Sequence, residues 1–114
     1  MTALVESPGK INLTLEILGK RKDGFHDIRS VLLPVSLFES VRVTLRQDDA
    51  VTCTTAGDGV DVSCLQALAA EKNLAVRAVR AMQKACGAAQ GVDIAITKRV
   101  PIGAGMGGGS ADAV

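Results

Sequence analysis

Five glycines, Gly103, Gly105, Gly107, Gly108 and Gly109, fall within seven residues of one another. Neither a regular helix nor a strand interior tolerates that density, so the chain must fold around a loop here. The run before it alternates: Val92, Ile94 and Ile96 against Asp93, Ala95 and Thr97, which predicts a strand ended by Pro101. Ser110 to Ala113 then has the composition of a first helical turn. Strand, glycine loop and helix start make a phosphate-binding arrangement, because successive backbone N–H groups can face one concavity. A flexible surface loop is the competing reading, and the loop's direct continuity with a strong strand weighs against it. The Walker pattern is not met, since no Lys follows the glycines. Gly103, Gly105 and Gly108 satisfy G-x-G-x-x-G, but a dinucleotide fold places that motif behind its first strand, not late in the chain.

The preceding residues supply the rest of a sheet. Residues 10–18 alternate, with Ile11, Leu13, Leu15 and Ile17 on one face and Asn12, Thr14 and Glu16 on the other, which predicts a half-buried strand. Asp23-Gly24 signals a turn. Ile28 to Leu37, Ser40 to Gln47 and Val51 to Thr55 read as further strands, with a turn at Asp48-Asp49 and a short additional strand in Gly57 to Ser63. Asn73 is a helix N-cap, and Gly87 ends that helix. Between them Leu74, Ala75, Ala78, Val79, Met82, Ala85 and Cys86 recur at helical spacing. Early hairpins followed by a βα unit predict an α+β fold with a mainly antiparallel sheet. The only aromatics are Phe25 and Phe38, so small aliphatic residues must form the core, and Phe25 stands out in a polar turn.

Composition excludes several classes. A net charge of +1 with interspersed signs gives no basic stripe for nucleic acid. No leader-like segment opens the chain, and the longest apolar run, around Val31 to Leu37, is strand-sized and contains Pro34. Cys53, Cys64 and Cys86 form neither a C-x-x-C pair nor a metal spacing, so reduced thiols and a cytoplasmic location are expected.

The loop P-x-G-A-G-x-G-G-G-S resembles the ATP loop of the galactokinase, homoserine kinase, mevalonate kinase and phosphomevalonate kinase (GHMP) superfamily. The opening SPGKINLTLEILGKRKDGFHDIRSV, the N-L-A-V-R-A at Asn73 to Ala78 and the T-K-R-V-P before the loop are similar to those members that phosphorylate a cytidine-diphosphate-linked methylerythritol. The resemblance implies the amino-terminal domain of that superfamily, a βαβ arrangement like that of some ribosomal proteins with helices on one sheet face. It also implies transfer of the γ-phosphoryl group of ATP to the substrate's 2-hydroxyl, with Mg²⁺ as cofactor, in isoprenoid precursor synthesis.

Residue by residue, the resemblance makes Lys10 the catalytic lysine, whose ammonium can stabilise charge developing on the phosphoryl group. It assigns Asn12 to the substrate alcohol, and Phe25 and His26 to the cytosine, by stacking and by hydrogen bonding. Asn73 and Lys98 match positions near the adenine. Pro101, Ile102, Gly103, Ala104, Gly105, Met106, Gly107, Gly108, Gly109, Ser110 and Ala111 match the triphosphate loop. Ala111 stands where the superfamily has a second serine, which removes a hydroxyl but keeps the backbone N–H. Asp112 reads as a helix-start residue. The same resemblance puts the general base downstream of Val114, so the chain reads as an inactive fragment of a longer kinase. Missing helices would leave apolar sheet surface exposed, and a homodimer through that surface is expected. A noncatalytic nucleotide-binding module is the alternative, and an RNA-binding βαβ domain is disfavoured by the near-neutral charge.

Overall fold

The computed structural model describes residues Met1–Val114. Its strands are β1 (Thr2–Lys20), β2 (His26–Leu45), β3 (Val51–Gly57) and β4 (Val92–Lys98). Its helices are α1 (Ser63–Gln66), α2 (Leu74–Cys86) and α3 (Gly108–Asp112), with a short 3₁₀ turn at Ala70–Lys72. The sheet runs β1-β2-β4-β3. Only the β3–β4 pairing is parallel, and α2 supplies the crossover between those strands. No helix is long and apolar enough to cross a membrane.

Local chemistry explains the helix bounds. Asn73 Oδ1 accepts a hydrogen bond from the Ala75 amide at 2.9 Å, and Gly87 closes α2 in the left-handed region with φ 64°. The Asp23-Gly24 turn forms as expected, with Gly24 at φ 89° and the Phe25 amide donating to Asp23 Oδ1. At the other end of β2, Arg46 donates to Asp48 and Asp93 at 2.6 and 2.7 Å. The Arg46 hydrogen bond holds the Asp48 carboxyl down at about 2.

Three sequence expectations are corrected. Ile28 to Leu37 and Ser40 to Gln47 are not separate strands but one, β2, which runs through Pro34. Proline is tolerated there because β4 joins β2 only from Ser40 onward, and a register shift between Pro8 and Lys10 relaxes the β1 side. The additional strand expected in Gly57 to Ser63 does not form: Gly57 ends β3, and residues 58–63 hold no strand. A turn follows β3, and the Ser63 amide donates to Asp61 Oδ1 to start α1. Finally, the strand over residues 10–18 is not half-buried: Ile11, Leu13, Leu15 and Ile17 are all exposed. Beyond Lys10 the strand pairs only with β2, as a two-stranded ribbon with no layer over it.

The core lies at the opposite end of the sheet. Val41, Ala75, Val92, Ile94 and Ile96 form one buried cluster under α2, and Val76 and Val100 are fully enclosed. Burying one such valine is worth roughly 1.5–3 kcal/mol. The glycine loop leaves the sheet directly from this well-packed end.

Candidate nucleotide site

The loop is anchored on both sides. The Lys10 amide donates to the Met106 carbonyl at 2.9 Å, tying the loop to β1. The Ala111 amide donates to the Gly107 carbonyl at 3.0 Å and opens α3. Gly103, Gly105 and Gly107 take φ values of 74°, 72° and 70°, so alternate residues reverse the chain's hand. That alternation turns backbone N–H groups inward and makes a nest of the kind that binds anions. With Pro101, Ile102, Met106, Gly108, Gly109 and Ser110, these glycines line an open concavity of about 310 Å³.

Lys10 lies against this loop. A Cβ on Gly107 would stand 3.2 Å from Lys10 Cε, so the lysine stem rests on the loop's backbone. Its ammonium donates to Asn12 Oδ1 at 2.7 Å, and Asn12 in turn donates to Ser30 Oγ at 3.0 Å. One of the three ammonium donors is thereby fixed, which leaves two to meet a ligand. Asn73 sits at the N-terminus of α2 where two further depressions meet, walled by Thr55, Leu65 and Leu68. One of these depressions also reaches Gly109 of the loop. Lys10, Asn12, Asn73 and the loop are therefore gathered around the end of the sheet from which the loop leaves.

Lys98 lines the hollow beside Asn73 and is also bonded beneath the loop. Its side chain is 3% exposed, and its ammonium donates to Glu39 Oε1 at 2.5 Å and to Asp112 Oδ2 at 2.8 Å. Burial lowers the pKa of this ammonium, and the bonds to Asp112 and Glu39 more than reverse that effect, so the pKa is raised. Lys98 thus belongs to the foundation of the loop while also lining the loop's concavity and the hollow beside Asn73. Asp112 is not a helix-start residue, because α3 begins at Gly108 and Asp112 ends it; its other oxygen accepts from Ser7 Oγ at 2.8 Å.

Other expected residues stand elsewhere. Phe25 and His26 lie at the tip of the ribbon, where His26 pairs with Lys20, and no hydrogen bond joins them to the loop. Phe25 is 69% exposed. Ala111 lines an apolar groove between α2 and the sheet and not the loop's concavity. Ala104 is exposed on the loop's outer side of that lining.

Glu39 and Ser7 were not legible as site residues, although a signal existed. Lys98 follows Ile96 by two residues and Glu39 precedes Val41 by two, so strand alternation turns both inward with the core. An acid and a base that both fall on buried strand positions imply a pair.

Comparison with known proteins fits this geometry. Residues 73–114 match the family described as GHMP kinases N terminal domain. A crystal structure of homoserine kinase from Cytophaga hutchinsonii superimposes with a TM-score of 0.65 over 98% of this chain and 32% of that one, at 20% identity, which supports the fold alone. The chain has the fold of the amino-terminal domain of the GHMP kinases, whose family description its residues 73–114 match. Within that superfamily it is similar to 4-diphosphocytidyl-2-C-methyl-D-erythritol kinases. The Pseudarthrobacter chlorophenolicus enzyme of that name is 42% identical over 113 residues, 98% of this chain. The Geobacter metallireducens enzyme is 37% identical over 109 residues, 96% of this chain. A crystal structure of 4-(cytidine 5'-diphospho)-2C-methyl-D-erythritol kinase matches with a TM-score of 0.62 at 34% identity, over 99% of this chain and 37% of that one. The chain spans about a third of the length of these curated relatives, 35% and 36% of the two named.

Proposed function

We propose that residues 101–110 cradle the triphosphate of ATP, in a kinase that phosphorylates a cytidine-diphosphate-linked methylerythritol on its hydroxyl. The observation that carries this reading is Gly109. Gly103, Gly105 and Gly107 have left-handed backbone angles, and Gly108 is crowded by Glu39. Gly109 has neither reason: its φ is not positive, and an added Cβ would meet only Leu74 Cδ1, at an ordinary 3.7 Å. The chain's own packing does not require glycine there. A ligand approaching the backbone of the concavity would.

The remaining roles follow from position. Lys10 offers its two free donors to the transferring phosphoryl group, held in direction by Asn12. Asn12 orients the acceptor alcohol, and the hollow beside Asn73, Leu65 and Leu68 takes the adenine. Phe25 and His26 hold the cytosine, which requires the ribbon to curve back toward the loop. Three register shifts along β1 supply bends for that curvature. Mg²⁺ would be held chiefly by the phosphates of ATP, where it would neutralise their charge.

Gly109→Ala separates ligand binding from folding. Alanine inside a helix is favoured over glycine by roughly 0.5–1 kcal/mol, so the urea midpoint should hold or rise. Calorimetric affinity for Mg·ATP should fall at least about tenfold, the equivalent of 1.4 kcal/mol. Retained affinity in a stable variant would remove the basis for the cradle.

A second reading is favoured by the engagement of the acids beside the loop. Glu39 and Asp112 are both bound to Lys98, so neither is free to take a hydroxyl proton. In that reading these 114 residues bind nucleotide without turning substrate over. Phosphoryl transfer from Mg·ATP to the cytidyl substrate, assayed on this folded chain with a Lys10→Ala control, should be absent under both readings. Turnover abolished by the control would overturn both and make these residues a complete catalyst.

A further inference from the structure

Glu39, Lys98 and Asp112 are the most enclosed charges near the loop, with side chains 0%, 3% and 3% exposed. Each comes from a different element: Glu39 from β2, Lys98 from β4 and Asp112 from α3. Ser7 of β1 donates to Asp112, and the Arg99 and Val100 amides donate to Glu39 Oε2 at 3.1 and 3.4 Å. Two carboxylates thus surround one ammonium, and the extra negative charge is met by a hydroxyl and two backbone N–H groups. No buried side-chain polar atom is left without a partner.

Stability alone does not explain such a network. Removing three charges from water is costly, and apolar side chains of the same shape would join these elements as well or better. What an ionic network supplies is direction, because it is satisfied in one arrangement only. That arrangement reaches the loop itself. A Cβ on Gly108 would stand 2.4 Å from Glu39 Oε1 and 3.2 Å from Lys98 Nζ, so the loop's backbone sits directly on the charges.

We propose that Glu39, Lys98, Asp112 and Ser7 are positioning residues that seat the glycine loop on the sheet and preform its concavity. Gly108 is required by the carboxylate beneath it, and Gly109 by the ligand above it. The consequence for nucleotide rests on the reading of this loop as a phosphate cradle. The seating of the loop does not.

Amide hydrogen exchange on the 114-residue chain tests the proposal alongside Mg·ATP affinity. The reporters are the Lys10 amide, bonded to Met106, and the Ala111 amide, bonded to Gly107, against the Ile94 and Ile96 amides of β4. In Asp112→Asn the two loop reporters should exchange at least tenfold faster while β4 is unchanged. Mg·ATP affinity should fall by roughly tenfold, the loss expected for one hydrogen bond to a charged group. Ser7→Ala keeps all three charges and should move both readouts the same way by less. It decides the matter should Asp112→Asn fail to fold. Loop reporters that do not change, or that accelerate only together with β4, would overturn the proposal. Should the unsubstituted chain bind no Mg·ATP while the loop reporters respond as stated, the nucleotide reading fails and the seating of the loop stands.

Discussion

The two ends of one sheet are built in opposite ways. Where β2 meets β4, a cluster of aliphatic residues and a satisfied ionic network lie under α2 and the glycine loop. From Lys10 outward, β1 and β2 pair only with each other, and Ile11, Leu15, Ile17, Ile28 and Leu32 face solvent. Charges are buried where aliphatics could stand, and aliphatics are exposed where charges could stand. The lesson is that hydropathy sets which face of a strand could be buried, while the neighbouring layers decide whether it is. The finished end carries the glycine loop, so the precise part of the molecule is the part proposed to hold the nucleotide.

Substitutions at the two ends should differ most in stability. Glu39→Ala strands Lys98 without its closest partner, which should cost about 3–5 kcal/mol by urea unfolding. Ile17→Ser on the ribbon should change stability by less than about 0.5 kcal/mol when measured at a concentration too low for the chain to self-associate. Equal costs there would mean that the ribbon is packed within the single chain.

Coverage by a second copy is the next expectation. The chain exposes 7680 Å², against about 5,900 Å² for a compact monomer of its mass. The excess surpasses the ~800 Å² per partner of an ordinary interface. Light scattering should therefore report a dimer, and Leu15→Ser with Ile17→Ser should return the mass to that of one chain. A strictly monomeric unsubstituted chain would break this part of the comparison.

Smaller effects test the local geometry of the finished end. Gly103→Ala forces a left-handed angle on a residue with a Cβ, at a cost of roughly 1–2 kcal/mol. Asn73→Ala removes the cap of α2 and should cost about 1 kcal/mol.

The smallest effect is in pH dependence. The Lys98 pKa is raised in the folded chain: burial lowers it, but the bonds to Asp112 and Glu39 outweigh burial. Its contribution to stability is therefore complete below the ordinary value of 10.5 and lost only as pH climbs through the higher folded value. The urea midpoint should show no loss from this group between neutrality and pH 10, and a decline above 10.5 that Lys98→Met removes. A midpoint that rises with pH between neutrality and 10.5, or a high-pH decline that Lys98→Met leaves in place, would put the ammonium outside the network.

Much of this organisation was written locally and could be read locally. Asn73, Gly87 and the periodic residues between them define α2 because caps and helical spacing act within a few residues. The glycine loop after β4 was legible for the same reason. Its ionic foundation was not, since Lys98 and Glu39 are 59 residues apart and each looks like an ordinary solvated charge when taken alone. Strand parity relative to Ile96 and Val41 was the available clue. The ribbon's exposure was not readable at all, because alternation in residues 10–18 is the same whether or not a second layer covers the strand.

The most direct measurement is a titration of the isotopically labelled chain with Mg·ATP, followed by amide chemical shifts. The account predicts shifts concentrated at Gly103–Ser110, Lys10 and Asn73, with the Asp23–His26 turn silent until the cytidyl substrate is added. Unmoved loop amides at saturating nucleotide, or shifts confined to the groove behind α2, would contradict it.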